Sequence, residues 1–326
     1  MLQILECGRL NTVQDLGRFG VRRLGVGVAG PMDPVSFRIS NILVGNKENE
    51  AGLEIQTYPF EVKFLKEGRV AVTGSSCAFL DEIELPAFWS GFVEVGQVLR
   101  VELRPPGSRS YISVAGGINV PSVLGSKSTQ LRGGFGGNGG RELSEGDCLE
   151  AGRPLCPDML RLPDFGAELP CVTFPVPYPS EGADHVVRAL RGGEYELFTA
   201  EAQSSFWSSL WTVTLLSNRT GYRLEGVGLP LSQAVEMRSH GVIPGVVQVP
   251  PAGQPIIQMM DGNTVGGYPK IAHVIDADMW RIGQASAGQK IRFVEVSHQE
   301  AVAETIKMQN YFKMMALNVS RVVSFL

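Results

Sequence analysis

The chain has 326 residues, and its 29 Lys and Arg against 33 Asp and Glu give a formal net charge of −4. At roughly 150 residues per domain, this length predicts about two domains. The slightly acidic balance excludes the basic surface of a nucleic-acid-binding protein, and no apolar run approaches the roughly 18 residues that span a bilayer. The first residues also lack the basic segment of a secretory signal, so the sequence predicts a cytoplasmic protein without a membrane partner.

Short apolar runs rich in Val, Ile and Phe recur along the chain and are separated by frequent turn signals. Several of them alternate apolar with polar residues, as half-buried strands do. The clearest runs are residues 60–64, 70–73, 98–103, 111–114, 211–215 and 291–296. Regular short strands of this kind predict a mainly β chain built as barrels or sandwiches rather than βαβ units.

Only two helices are clearly indicated. The first has Asp33 as its N-cap, Pro34 at its first position and Gly45 as its terminator. The second lies at the C-terminus and opens with Ser297 and Glu300 in the spacing of a capping box. The sequence therefore predicts few helices.

The middle of the chain is rich in proline, with seven prolines between residues 154 and 179. Proline fixes φ and removes a donor from the β-ladder, so this stretch favours a linker over a sheet. We therefore predict an N-terminal domain over residues 1–153, a Pro-rich linker over 154–190, and a C-terminal domain with a terminal helix over 191–326.

Cysteine and histidine patterns favour neither a disulfide framework nor a metal site. The five cysteines are odd in number, widely spaced and include no Cys-x-x-Cys, and the four histidines include no His-x-x-x-His. We therefore predict free thiols and no bound metal.

Two glycine-rich segments, residues 25–30 and 134–139, match Gly-x-Gly-x-x-Gly, but neither has the strand-before and helix-after context of a dinucleotide site. Residues 125–129 look like the end of a P-loop and lack the Walker glycine. This last segment is open to two interpretations, a backbone nest for an anion or a solvated turn. Any ATP chemistry is expected to use another site or another subunit.

Four segments combine glycine turns with reactive polar side chains. They are residues 11–18, 30–33, 217–226 and 259–270. The first packs an amide, a carboxylate and a guanidinium into one turn and can orient a small polar substrate. In the second, Asp33 also has a plain structural role as a helix cap.

The fourth segment carries our catalytic prediction. The apolar run 255–260 is interpreted as a buried strand that places Asp261 at its end, and Lys270 follows after a glycine turn. A lysine close to Asp261 would lower the pKa of that carboxyl, or burial would lower the pKa of Lys270 itself. Such a pair can deprotonate an amide and stabilise an oxyanion, so Asp261 and Lys270 are predicted to be catalytic. An internal salt bridge that holds a hairpin is the structural alternative.

The same segments, in the same order, carry a resemblance to a known family. The matching motifs are residues 12–18, 30–33, 43–46, 115–117, 124–129, 221–226, 248–251 and 261–270. From about residue 3 to residue 303 the chain resembles the biotin-dependent carboxyltransferase/KipA family. One departure is Ala29, where the family usually has serine.

The resemblance implies two cyclophilin-like β-barrel domains. Bacterial members of the family include the C subunit of an ATP-hydrolysing 5-oxoprolinase, which opens 5-oxo-L-proline to L-glutamate. The resemblance therefore implies a subunit that is inactive alone and works with a KipI/PxpB-type subunit and a PxpA-type subunit on a small amide or lactam. The implied cofactor is ATP with Mg, bound at a partner or at a shared site.

The polar residues of these motifs are the predicted substrate-binding set. They are Asn11, Gln14, Asp15, Arg18, Ser126, Ser128, Thr129, Arg219, Thr264, Gly266, Gly267 and Tyr268.

Two other functions stay open at this point. Relatives fused into urea carboxylases imply carboxyl transfer from carboxybiotin to urea or a related amide. This chain has no Ala-Met-Lys-Met biotinyl site, so it carries no covalent biotin and would need a separate carrier protein. KipA-type relatives imply instead a regulatory protein that binds a KipI-like kinase inhibitor without turnover of its own.

Overall fold

The structure is a computed structural model and describes residues 2–175 and 182–324. Its contacts divide the chain into two compact units. Unit 1 comprises Met1–Arg18, Ala29–Pro175 and Gln309–Leu326, and unit 2 comprises Phe19–Val28 and Val176–Met308. The prediction of a mainly β chain with few helices and β-barrel structure is confirmed.

Unit 1 consists mainly of short antiparallel strands. These are β1 (Leu2–Cys7), β2 (Thr12–Gln14), β3 (Gly52–Ile55), β4 (Phe60–Phe64), β5 (Gly68–Gly74), β6 (Ser76–Leu80), β7 (Ile83–Leu85), β8 (Trp89–Val93), β9 (Val98–Leu103), β10 (Ser110–Val114), β11 (Cys148–Leu149) and β12 (Phe165–Gly166). They form two six-stranded sheets, one in the order β11-β1-β4-β9-β6-β7 and the other in the order β12-β8-β5-β10-β3-β2.

Both sheets of unit 1 bury side chains in one hydrophobic core. Strand β4 shows how the sequence achieves this, because Phe60, Val62 and Phe64 are fully buried while Glu61 and Lys63 between them are partly exposed. Alternate residues of a strand point to opposite faces, so this period-2 pattern buries one face of the strand.

Helix α1 (Pro34–Leu43) begins where the sequence predicts. The Asp33 carboxylate accepts hydrogen bonds from the main-chain N–H groups of Val35 and Ser36, at 3.0 and 2.9 Å. It thereby satisfies two of the donors that an α-helix leaves unpaired at its first turn.

Unit 2 is built around a closed β-barrel. The strands of the unit are β13 (His185–Arg191), β14 (Trp211–Val213), β15 (Gly221–Glu225), β16 (His240–Gly241), β17 (Val246–Gln248), β18 (Ile256–Gln258), β19 (Val265–Gly266), β20 (Lys270–Val274) and β21 (Lys290–Glu295). The barrel runs β13-β20-β17-β18-β15-β14-β21, and β16 pairs with β19 as a separate two-stranded ribbon. Closure removes the unpaired strand edges that an open sheet would expose.

The remaining helices are short except for the last. They are α2 (Pro170–Thr173) in unit 1, α3 (Ala200–Ser208) and α4 (Met279–Gly283) in unit 2, and α5 (His298–Ser324). The predicted capping box opens α5, since Ser297 N donates to Glu300 Oε2 at 2.7 Å and Glu300 N donates to Ser297 Oγ at 3.2 Å. Among the described residues, no helix combines the length and apolarity needed to cross a membrane.

The proline-rich stretch belongs to unit 1 up to Pro175, and its last regular element ends at Thr173. It contains a 3₁₀ turn at Pro157–Arg161, strand β12, which pairs with β8, and helix α2. Residues 176–181, the end of the predicted run of prolines, lie outside the described residues. The sequence places the domain boundaries at 153/154 and 190/191. These boundaries stay a prediction and are separate from the two units defined by contacts.

A buried arginine fixes this stretch to the sheet of β5 and β8. The Arg69 guanidinium donates to the carbonyl oxygens of Met159, Leu162 and Pro163, and to the hydroxyl and carbonyl oxygens of Ser90, at 2.9–3.3 Å. Arg69 is 1% exposed, and burial lowers its pKa to about 10. Because proline-rich backbone has few N–H donors of its own, its carbonyls depend on this side chain for their hydrogen bonds.

The Arg69→Met variant is expected to lower the free energy of unfolding of unit 1 by roughly 3–5 kcal/mol, because it leaves several buried carbonyls without a donor. Limited proteolysis should then cut first within residues 154–165. The matched control is Arg161→Met, whose side chain is 82% exposed and which should change neither quantity. Equal protease resistance in the two variants would contradict the assigned role of Arg69.

Candidate functional site

In unit 1, Asp15 lies at the centre of a buried hydrogen-bond cluster. Its carboxylate accepts from the hydroxyls of Ser126 and Ser128, at 2.5 and 2.7 Å, and from the main-chain N–H groups of Lys127 and Gly17, at 2.6 and 2.9 Å. These contacts join the segment after β2 to residues 126–128. Asp15 is 3% exposed, so its carboxylate oxygens are used in hydrogen bonds that stabilise the fold.

This cluster also decides between the two interpretations of residues 125–129. The Ser126 hydroxyl and the Lys127 N–H, which a phosphate would need, already bind the Asp15 carboxylate. A phosphate bound to the same donors would lie in contact with the negatively charged Asp15 carboxylate and would be repelled by it. The segment is therefore an internal carboxylate nest, and its residues do not fit ATP.

Three further predicted binding residues reinforce the cluster. Gln14 accepts from Gly30 N at 3.1 Å, and Thr129 donates to Val13 O through both its N–H and its hydroxyl. Arg18 donates to the Ser128 carbonyl at 2.5 Å and is fully buried. All three tie glycine-rich loops to the edge of the sheet.

Asn11 lies apart from this cluster. Its side-chain oxygen accepts from Gln56 N and Thr57 N, at 2.9 and 3.1 Å, and its amide donates to Thr57 O. The structure thus groups Gln14, Asp15 and Arg18 with residues 126–129 and leaves Asn11 at a separate turn. A role for any of them in substrate binding stays a prediction.

In unit 2, Asp261 pairs with Arg219. The guanidinium forms a bidentate contact, with Nε 2.8 Å from Oδ2 and Nη2 3.1 Å from Oδ1. Both residues are less than 10% exposed, and Asp261 N also donates to the Arg219 carbonyl at 2.9 Å. The planar fork of arginine matches a carboxylate in a way that a lysine ammonium does not. The Asp261 carboxylate therefore faces Arg219, whereas the sequence predicts Lys270 beside it.

Lys270, at the start of β20, contacts two residues that the sequence motifs do not indicate. Its ammonium lies 2.9 Å from Glu194 Oε2 and also contacts His240 Nε2. Glu194 precedes a 3₁₀ turn at Tyr195–Leu197, and His240 lies on β16. We call Lys270, Glu194 and His240 the lysine cluster.

The tautomer of His240 follows from its second contact. Nδ1 lies 3.0 Å from the Arg238 carbonyl oxygen, which can only accept, so Nδ1 carries the proton. Nε2 then has a lone pair directed at the Lys270 ammonium. The lysine cluster thus places an amine, an imidazole and a carboxyl group in contact, and side chains of these types serve in acid–base catalysis.

Sequence reasoning missed Glu194 and His240 because they are 76 and 30 residues from Lys270 in the chain. No local spacing links them. Only the folded ribbon makes the link, because in it His240 pairs with Gly266, one of the predicted residues.

A chain of amide hydrogen bonds lies beside the lysine cluster. Gln248, the ladder partner of Lys270, donates to the Tyr268 carbonyl at 3.2 Å and accepts from Gln258 at 3.1 Å. The Tyr268 carbonyl therefore fixes the direction of both amides and leaves Gln258 Oε1 as the terminal acceptor. This atom is buried and has no hydrogen-bond partner among the described residues.

The other predicted residues of this segment act mainly through the backbone. The Thr264 carbonyl accepts from Val242 N at 3.1 Å, and Gly266 pairs with His240 across the ribbon. A side chain at Gly266 would place its Cβ 2.6 Å from the Gln248 amide nitrogen, so a larger residue there would require the Gln248 side chain to move. Gly267 and Tyr268 line a cavity of about 730 Å³ whose other walls include Leu229, Met237 and Val249.

The described residues contain no group of three or more His, Cys, Asp or Glu side chains that could hold a metal ion. Their five cysteines are free.

Residues 24–295 match the carboxyltransferase domain family, subdomains A and B. The match covers most of the chain. The chain belongs to this family, and the resemblance expected from its motifs is confirmed.

Within the family, the chain is similar to the C subunit of 5-oxoprolinase. It is 41% identical to the Escherichia coli protein over 97% of this chain and 98% of that one. It is 39% identical to the Haemophilus influenzae protein over 95% of this chain and 96% of that one.

A solved structure shares the fold. The Kluyveromyces lactis urea amidolyase superposes with a TM-score of 0.85 at 30% identity. The match covers 96% of this chain but only 20% of the amidolyase chain, so this protein corresponds to about a fifth of that enzyme.

The Asp261→Asn variant is expected to lower the free energy of unfolding of unit 2 by roughly 3 kcal/mol, because Arg219 is left buried without its counter-ion. The double variant R219M/D261L, which removes both charges, should recover most of that loss in a denaturant titration. As a control, Arg191→Met breaks the exposed pair with Glu295 and should cost less than about 1 kcal/mol. A double variant less stable than Asp261→Asn would contradict a structural ion pair.

Proposed function

We propose that this chain is the C subunit of an ATP-dependent 5-oxoprolinase and opens 5-oxo-L-proline to L-glutamate together with PxpA-type and PxpB-type subunits in the cytoplasm. The observation that carries the proposal is the identity of 41% to the Escherichia coli protein over nearly the full length of both chains. A match that covers nearly all of both chains supports a shared role better than a match to a fraction of a larger enzyme.

Opening a lactam requires help at both ends of its C–N bond. An amide carbon is a poor electrophile, and the ring nitrogen leaves only if it gains a proton. When bound, ATP would supply a phosphoryl group that activates the lactam oxygen and that later leaves as inorganic phosphate, with a second water completing the carboxylate. Since residues 125–129 do not fit a phosphate, we assign ATP to a partner or to a shared site.

The lysine cluster supplies the proton chemistry in this proposal. Lys270 gives a proton to the ring nitrogen as the C–N bond breaks, and His240 Nε2 takes a proton from the attacking water. Because Nε2 contacts the lysine, His240 returns that proton to Lys270, and no net proton is gained or lost. Glu194 Oε2 lies 2.9 Å from the Lys270 ammonium and holds it in position.

The Lys270→Met variant, assembled with its PxpA-type and PxpB-type partners, is expected to lose at least 100-fold in ATP-dependent release of glutamate from 5-oxoproline, since removing a positioned acid typically costs 10²–10⁴-fold. The matched control is Lys290→Met, an exposed lysine on β21 of the same barrel, which should retain wild-type rates. Glutamate is measured against an assembly that contains the partners alone.

Two results would count against the proposal in different ways. No glutamate from the wild-type assembly above the partner-only level would reject the oxoprolinase function and favour the regulatory alternative, in which the chain binds a KipI-like kinase inhibitor. Wild-type rates in Lys270→Met would reject only the role given to the lysine cluster.

A second function is favoured by the family match and by the urea amidolyase structure. In this alternative the chain moves a carboxyl group from carboxybiotin, held by a separate carrier protein, to urea or a related amide. It predicts biotin-dependent transfer of labelled bicarbonate to urea, without release of glutamate from 5-oxoproline.

A further inference from the structure

Arg22 lies in a short 3₁₀ turn at Arg22–Leu24 that belongs to unit 2. Its Nη2 donates to the carbonyl oxygen of Asn263 at 3.4 Å, which places the guanidinium beside the loop between Asp261 and the ribbon strand β19. Arg22 is partly buried, whereas the next residue, Arg23, is exposed.

Arg22 differs from the buried arginines of the same unit in its lack of an anionic partner. Arg188 and Arg219 each form a bidentate contact with an aspartate. No carboxylate of residues 2–175 or 182–324 forms an ion pair with Arg22, and the weak contact to Asn263 engages one of its five N–H donors. Burial lowers the pKa of Arg22 with no charged neighbour to oppose it. A bound anion would offset this cost.

Arg22 and His240 of the lysine cluster contact the same short segment of unit 2. Arg22 contacts Asn263, and His240 pairs with Gly266 three residues later.

We propose that Arg22 binds the carboxylate of a small lactam acid whose ring is presented to Lys270. This assignment rests on the proposed oxoprolinase function and adds a specificity determinant to it. Urea and simple amides have no carboxylate, so Arg22 would favour 5-oxoproline over them. The forked guanidinium suits this task because it binds both oxygens of a carboxylate.

The test compares the variants R22Q, R22K and R23Q in the assembly with both partner subunits. R22Q is expected to raise the KM for 5-oxoproline at least about 10-fold, because a charge-assisted pair is lost. R22K keeps the charge without the fork and should lie between R22Q and wild type, and R23Q should stay within twofold of wild type. The neutral amide of 5-oxoproline, used as a competitive inhibitor, should bind R22Q and wild type equally.

The outcomes separate the two proposals. If the wild-type assembly releases no glutamate, the oxoprolinase function is rejected and this assignment falls with it. If it is active and R22Q has the KM of R23Q, the function stands and Arg22 is not the carboxylate site. An equal loss of affinity for the acid and for its neutral amide would likewise overturn the assignment, since it would indicate a general disturbance of the loop.

Discussion

Main-chain N–H groups that are buried in loops must find acceptors, because an unpaired buried donor costs about 1–3 kcal/mol. In unit 1 the acceptors are side-chain oxygens, such as Asp15 for Lys127 and Gly17, and Gln14 for Gly30. The glycine-rich loops can therefore leave the β-ladder without losing their hydrogen bonds. Most of the conspicuous polar residues of unit 1 are committed to this task, and the loops that resemble phosphate cradles are internal supports.

In unit 2, several polar groups face one another or lack a partner. The Lys270 side-chain nitrogen contacts His240 Nε2, Gln258 Oε1 ends a chain of amides without a donor, and Arg22 has no counter-ion among the described residues. Such arrangements are costly to a fold unless a substrate or a partner completes them. The contacts within the lysine cluster are the physical ground for proposing that the chemistry takes place in unit 2.

Much of the fold could be predicted from the sequence wherever the determining contacts are local. The N-cap at Asp33, the capping box at Ser297 and Glu300, and the alternation through β4 each depend on residues a few positions apart. The site could be predicted only in part. Lys270 could be selected from its motif, but its partners come from distant turns, and the Asp261 carboxylate pairs with an arginine 42 residues earlier in the chain. Pairings of this kind depend on barrel closure, which no local pattern encodes.

The amide chain that ends at Gln258 has a consequence for how the protein can evolve. Its polarity is set by the Tyr268 carbonyl, a main-chain atom that is present whatever residue occupies position 268. Turning Gln258 from acceptor to donor would require Gln248 to reverse as well and would leave that carbonyl unpaired. With both glutamines in place, the terminal atom of the chain is therefore an acceptor, and a donor at this point would require a substitution at Gln258 or Gln248.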